Sequence, residues 1–218
     1  MINKVFILFL LSTVFVFGQE NQEKSQKEKF SITVSSTHLI DPWDGSSIRI
    51  GIEKPLNNFI INLEAGKYIA NSWSIKPNIK GYILNPIVKF KVYTNDNGVT
   101  EYVGVDYLYK DFSHDTNDSI KINNVTINKD YRVSRKVHAV SLKYFQRKDF
   151  NKHFFYDFYV GLGIRFTSSQ SDLTEEERYD ILNDEYHGAT QIENEINRTG
   201  KFFRPNIYCG VKFGYRIF

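Results

Sequence analysis

At 218 residues with a net charge of +3, the chain suits a single domain, and its weak, scattered positive charge argues against a nucleic-acid partner. One cysteine, Cys209, excludes an internal disulfide, so an exported form needs another source of stability. Aromatic residues make up 16%, and the polar mean hydropathy does not exclude a membrane, because barrel strands are apolar on one face only.

Met1–Lys4 is a short basic start, and Val5–Phe17 is an uncharged apolar run. That run is too short for a membrane helix but suits a secretory leader. Val16-Phe-Gly18 offers small residues for cleavage, so 1–18 reads as a signal peptide and 19–28, rich in Gln, Glu and Lys, as a disordered periplasmic lead-in. From 29 to 218 the chain reads as one outer-membrane β-barrel of eight segments with a period of two.

The first strand, about 29–39, alternates Phe30, Ile32 and Val34 with Ser31, Thr33 and Ser35. The second, 47–54, sets Ile48, Ile50 and Ile52 against Arg49, Gly51 and Glu53, and the third, 58–69, sets Phe59, Ile61, Leu63 and Ala65 against Asn62, Glu64 and Gly66. The fourth, 80–94, carries Leu84, Val88, Phe90 and Val92 opposite Asn85, Lys89 and Lys91, with Pro86 predicting a bulge or irregular pairing. The fifth, 100–112, alternates Val103, Val105, Tyr107 and Tyr109 with Tyr102, Gly104 and Asp106. The sixth, 131–147, sets Val140, Leu142 and Tyr144 against Ala139, Ser141 and Lys143. The seventh, 153–167, is the cleanest, with Phe154, Tyr156, Phe158, Val160, Leu162, Ile164 and Phe166 on one face. The eighth, 205–218, places Ile207, Cys209, Val211, Phe213, Tyr215 and Ile217 on one face and Lys212, Gly214 and Arg216 on the other.

The second, fourth and sixth connections are short, and Asn97-Gly98 is a hairpin signal. The odd-numbered ones lengthen to roughly 7, 10, 18 and 35 residues. With both termini in the periplasm, this sorting is that of an outer-membrane barrel. The last long link, 168–203, carries Thr174-Glu-Glu-Glu177 at capping-box spacing, which predicts a short helical insertion in the last extracellular loop. The expected fold is therefore an all-β, eight-stranded, antiparallel up-and-down transmembrane barrel.

Eight strands leave room for side chains but for no wide channel. The apolar set must then face lipid. The expected lumen set is Arg49, Lys89, Lys91, Lys143, Arg165, Lys212 and Arg216 with Glu53, Glu64, Asp106 and Asp157, joined in ion pairs. The glycines at 51, 66, 104, 161, 163, 210 and 214 fall on the same inward face.

Four stretches, Ser46–Glu53, Lys80–Phe90, Tyr102–Tyr109 and Gly210–Phe218, resemble the small eight-stranded outer-membrane β-barrel family of Bacteroidota-type bacteria, a domain family of unknown function with OmpA/OmpX-like architecture. The terminal aromatic Phe218 also resembles the signal read by the barrel-assembly machinery. The resemblance implies outer-membrane lipid and lipopolysaccharide as surroundings, and carries no catalytic residues to transfer.

Candidate chemistry is sparse. A lipid A-modifying enzyme would need a nucleophile and a base, and only Ser36 with His38, or His138 with Ser141, offer them. The latter two differ by three and face opposite sides of a strand. Asp111, His114, Asp115 and Asp118 could be read as a metal cluster but fit a flexible polar loop better, and the acidic stretch 172–198 lacks calcium-loop spacing. Trp43 and Trp73 fit interfacial anchors. No catalytic, cofactor-binding or metal residue is expected, and no cofactor. The expected role is envelope support, adhesion or recognition through the outer loops. An accessory subunit with an unknown protein partner is the alternative.

Overall fold

The computed structural model describes residues 30–35, 44, 46–69, 78–122, 125–175, 177 and 199–217, with the backbone only for 118–122. Eight strands form: β1 (Phe30–Ser35), β2 (Ser47–Leu56), β3 (Phe59–Tyr68), β4 (Lys80–Thr94), β5 (Val99–Ile122), β6 (Val125–Asp149), β7 (Phe154–Ser171) and β8 (Gly200–Ile217). Each pairs antiparallel with its sequence neighbour, and β8 pairs with β1, from Phe30 opposite Ile217 to Ser35 opposite Lys212, closing the barrel. The all-β, eight-stranded ring expected from the period-two pattern is present.

Three links are tight. Asn57 takes φ 48°, a left-handed conformation that Asn tolerates, between β2 and β3. Gly98, at φ 75°, closes the β4–β5 turn, where Asn95 Oδ1 accepts from Val99 N at 2.8 Å. In the β6–β7 turn, Asn151 Oδ1 accepts from His153 N and Phe154 N, an Asx turn. These three links lie at one end of the barrel, with Phe30 and Ile217.

The β5–β6 connection corrects the sequence reading. The expected link of roughly 18 residues is instead a continuation of both strands, with pairing unbroken from Val99 opposite Lys148 to Ile122 opposite Val125. β4 leaves β5 at Ser113, and β7 leaves β6 at Val133. Beyond those rungs β5 and β6 form a two-stranded ribbon that rises above the ring.

Pro86 brings the irregular pairing expected there, since the β4–β5 ladder has no rungs at Asn85 and Pro86, but it causes no bulge. The β4–β5 register is the same on both sides of it, from Leu84 opposite Tyr109 to Ile87 opposite Asp106, and shifts only between Lys91 and Tyr93. That register sets Tyr107 opposite Pro86, which has no N–H to give. The Tyr107 carbonyl instead accepts from Asn85 Nδ2 at 3.1 Å.

Alternation puts the apolar set outside, as expected. Leu162 is 67% exposed and Ile207 78%, and Ile52, Leu63 and Leu142 also face outward. Aromatic rings band this belt at both ends. Phe154 packs edge-on to Tyr215 (4.9 Å between centroids) at the tight-turn end, and Phe166 packs on Phe203 (5.3 Å) at the other. Twelve strand steps separate Phe154 from Phe166, about 30 Å of height at the usual rise and a tilt of about 40°.

The inside is filled. Phe145 packs on Tyr159, and Tyr68 on Phe112. A Cβ on Gly214 would strike the ring of Phe155, so this close approach requires glycine. The inner wall is therefore not polar throughout: Ile60, Ile83, Ile87, Leu108 and Phe145 are buried among the charges.

Candidate functional site

Among the described residues, the charges inside the barrel form an assembly of chemically capable groups, and they are layered. At the tight-turn end Lys89 Nζ, fully buried, donates to Glu53 Oε2 (2.8 Å) and Asp157 Oδ2 (2.5 Å). Arg147 closes the square, with Nη2 2.6 Å from Glu53 Oε1 and Nε 2.6 Å from Asp157 Oδ1. Its guanidinium lies 3.8 Å above the Phe155 ring. Midway, Lys143 pairs with Asp106 at 2.8 Å and Lys212 pairs with Glu64. Asn85 Nδ2 also donates to Asp106, at 2.9 Å. These four cations, Lys89, Arg147, Lys143 and Lys212, meet four carboxylates, Glu53, Asp157, Glu64 and Asp106.

Toward the other end the balance changes. Asp44, buried in the β1–β2 link, accepts from Lys110 (2.6 Å) and from Arg165 Nη2 (2.5 Å). Arg135 lies close enough to Asp44, Arg165 and Arg204 to interact electrostatically with all three. Arg165 and Arg204 face each other directly across β7 and β8. Arg49 is buried against Gly66, where an added Cβ would lie 2.8 Å from its Cγ.

Of the expected lumen set, Arg49, Lys89, Lys143, Lys212, Glu53, Glu64, Asp106 and Asp157 are buried inside. Two members are corrected. Lys91 is exposed, because the register shift beside it ends the inner face there. Arg216 lies at the rim, where Nη2 is 2.6 Å from Asp149 Oδ1. Sequence reasoning missed Asp44, Lys110, Arg135, Arg147 and Arg204. Continuing the inward alternation from Asp106, Lys143 and Lys212 would have found the four cations. Asp44 sits in a link and leaves no periodic signal.

The Ser141–His138 candidate does not assemble. Ser141 is buried inside, while His138 is on the outer face with Nδ1 2.6 Å from the Tyr107 hydroxyl. Ser36, His38, Trp43, Trp73, Phe218 and segments 1–28 and 178–198 lie outside the described residues. Asp111, His114, Asp115 and Asp118, read from the sequence as a flexible polar loop rather than a metal cluster, lie instead on strand β5. His114 points inward and stacks on Phe112, whereas Asp115 is on the opposite face and accepts from Asn78 Nδ2 at 2.9 Å.

The ribbon is anchored at its base. Asp172 Oδ1 accepts from Arg132 N at 2.9 Å, and Tyr131 and Val133 bury Leu173. The capping box is formed: Thr174 N donates to Glu177 Oε2 (2.8 Å) and Glu177 N to Thr174 Oγ (3.3 Å). Glu177 also accepts from Lys129 on β6 at 2.5 Å. The helix expected to follow lies outside the described residues.

No family model and no curated protein matches the chain. The barrel that the resemblance to the Bacteroidota-type family implied is present, without a family model to support membership. Among solved structures, a major outer membrane protein from Thermus thermophilus aligns with 88% of this chain and 100% of its own. The identity is 11% and the TM-score 0.44, too distant to bear on this chain's role.

Proposed function

We propose that the chain is an integral outer-membrane barrel that catalyses no reaction and acts at the cell surface through the β5–β6 ribbon, in recognition or adhesion. The observation that carries this is the inverted polarity: large apolar side chains outside, ion pairs inside. A ring of exposed Ile, Leu, Val and Phe about 30 Å tall is far larger than the patches a water-soluble monomer shows. Lipid removes that penalty. The tight turns then lie in the periplasm and the ribbon outside, with Tyr82, Tyr109, His138 and Phe166 at the level of lipopolysaccharide headgroups. The interlocked lumen leaves no wide pore.

Unboiled protein in mild detergent should migrate faster on gels than boiled protein, and should fractionate with the outer membrane. Identical migration together with recovery from the soluble periplasm would reject the assignment. Separation of Ser141 from His138 disfavours lipid A modification, so a deletion strain should keep its lipid A unchanged.

One observation favours a second reading, an accessory subunit. A depression of about 620 Å³ opens on the outer face near the periplasmic rim, lined by Phe150, Tyr156, Phe158 and Phe213 among others. A partner's apolar side chain would fit it. Recovery of a stoichiometric partner from detergent-solubilised membranes would favour this reading, and a monodisperse single chain would count against it.

A further inference from the structure

The depression on the outer face near the tight-turn end is not apolar throughout. Two ladder rows cross it, Lys148–Tyr156–Phe213 and, one side-chain step higher, Gln146–Phe158–Val211. Phe150, in the β6–β7 turn, packs on Tyr156 with 5.2 Å between centroids. β7 and β8 thus supply aromatic and aliphatic lining. β6 supplies an amide and an ammonium, at outward positions that its next residues fill with Val140 and Leu142. Gln146 Nε2 donates to the Tyr144 hydroxyl at 3.1 Å, which extends this polar edge. Lys148 is exposed and is the charged member of the described lining. Among the described residues it forms no salt bridge, although Glu101 lies diagonally across from it on β5.

Above this corner the outer face stays apolar. Val160 opposite Cys209 and Leu162 opposite Ile207 follow on the same two strands, all exposed. Six strand steps separate Tyr156 from Leu162, about 15 Å of height at the usual rise and a tilt of about 40°, or half of a hydrocarbon core of about 30 Å. The track from Lys148 to Leu162 is therefore as deep as one leaflet. An apolar protein side chain laid here would cover the rings and cut Lys148 off from water without a counter-charge, which is unfavourable. A lipid with an anionic head meets both halves. Its chain covers the rings, and its phosphate meets an ammonium whose stem lies on the wall while its head stays at the rim.

We propose that this groove is a docking site for an anionic glycerophospholipid of the periplasmic leaflet, with the phosphate at Lys148 and one acyl chain laid over Phe158 and Val211 toward Leu162. The site rests on the outer-membrane reading, which supplies the solvent of this face, and gives one place on the belt a preference for one class of lipid. With lipid seated there, the depression no longer accepts a partner's side chain, and the accessory-subunit reading loses its support.

Cys209, the single cysteine, is exposed two residues from Val211 on the same face of β8, so a label on it reports from the upper lip of the groove. The full-length barrel, labelled there with a fluorescent maleimide, is refolded into phosphatidylcholine vesicles that carry an equal small fraction of brominated phosphatidylglycerol or brominated phosphatidylcholine. Quenching should show phosphatidylglycerol occupying the groove about fivefold more readily, the discrimination that one lysine near an anionic headgroup provides. Lys148→Gln changes an exposed side chain only and should bring the preference to one. Lys67→Gln, exposed at the opposite rim on β3, should leave it intact. Equal quenching by both lipids in the native chain overturns the site and leaves the membrane assignment standing, whereas no quenching by either overturns both. A preference that survives Lys148→Gln, or that Lys67→Gln removes as well, overturns the role of Lys148 as the anchor. A co-purifying protein that shields the label from both lipids overturns the lipid as occupant.

Discussion

At the scale of single residues, Lys89 carries the heaviest demand. Its ammonium is wholly enclosed and shared between Glu53 and Asp157, with Arg147 completing the square. Removing one member of a buried ion network costs more than the pair contributes, because its partners stay charged and dry. Lys89→Met should therefore destabilise the barrel by about 3–5 kcal/mol, seen as a lower urea midpoint for refolding into micelles. An unchanged midpoint would mean that water reaches the two carboxylates. The sequence made Lys89, Glu53 and Asp157 visible as inward positions. It did not reveal Arg147 as the partner they share, because one strand's alternation gives a direction and not a distance across a barrel.

Among the elements, β7 and the β5–β6 ribbon mark the limits of what could be read. From Phe154 to Phe166 every second side chain is apolar, since one side meets the belt and the other the charged interior. That contrast is what the period of two reports. Above Ser113, β5 reads His114, Asp115, Thr116 and Asn117, polar on both faces, and the signal fades although the strand continues. Above its base, where His114 and Tyr131 are still buried, the ribbon's described side chains are half-buried or exposed and no buried face imposes a pattern. Its anchor gives a pH dependence. The hydrogen bond from Lys129, then that from the Thr174 backbone, holds the Glu177 carboxyl below its usual value. Such a carboxylate stabilises the anchor above its unfolded pKa of about 4.3 and loses that contribution as pH falls through the lower folded value. Amide protection around Thr174 and Lys129, relative to the intrinsic exchange rate at each pH, should be high at pH 6 and lower below about pH 4, with Glu177→Gln lowering it at pH 6.

For the whole molecule, the belt decides the solvent. Val160 lies midway between Phe154 and Phe166, faces outward and pairs with Cys209. Val160→Arg should cost about 2–4 kcal/mol in bilayers if that height is the midplane. The same change in a protein bathed by water would be near neutral, so refolding titrations in lipid vesicles distinguish the two. Eight strands, their faces and the closing pair were legible in the sequence because the pattern is global. The layering of lumen charge was not, since it depends on strand tilt and on Asp44, which a link delivers from outside the pattern.

The pairing of β8 with β1 has a kinetic consequence. The seven other ladders join sequence neighbours, so each can zip from its own connection. The remaining seam must bring Phe30 to Ile217, nearly the full length of the chain, and holds six rungs. Loop-closure entropy grows with the logarithm of separation, which places this rung set last in time. Until it forms, the chain is a curled sheet with two raw edges, Phe30–Ser35 and Lys212–Ile217, each able to template another strand. The slow step of maturation is thus the joining of the two ends, and an assembly factor that shields one edge would act there.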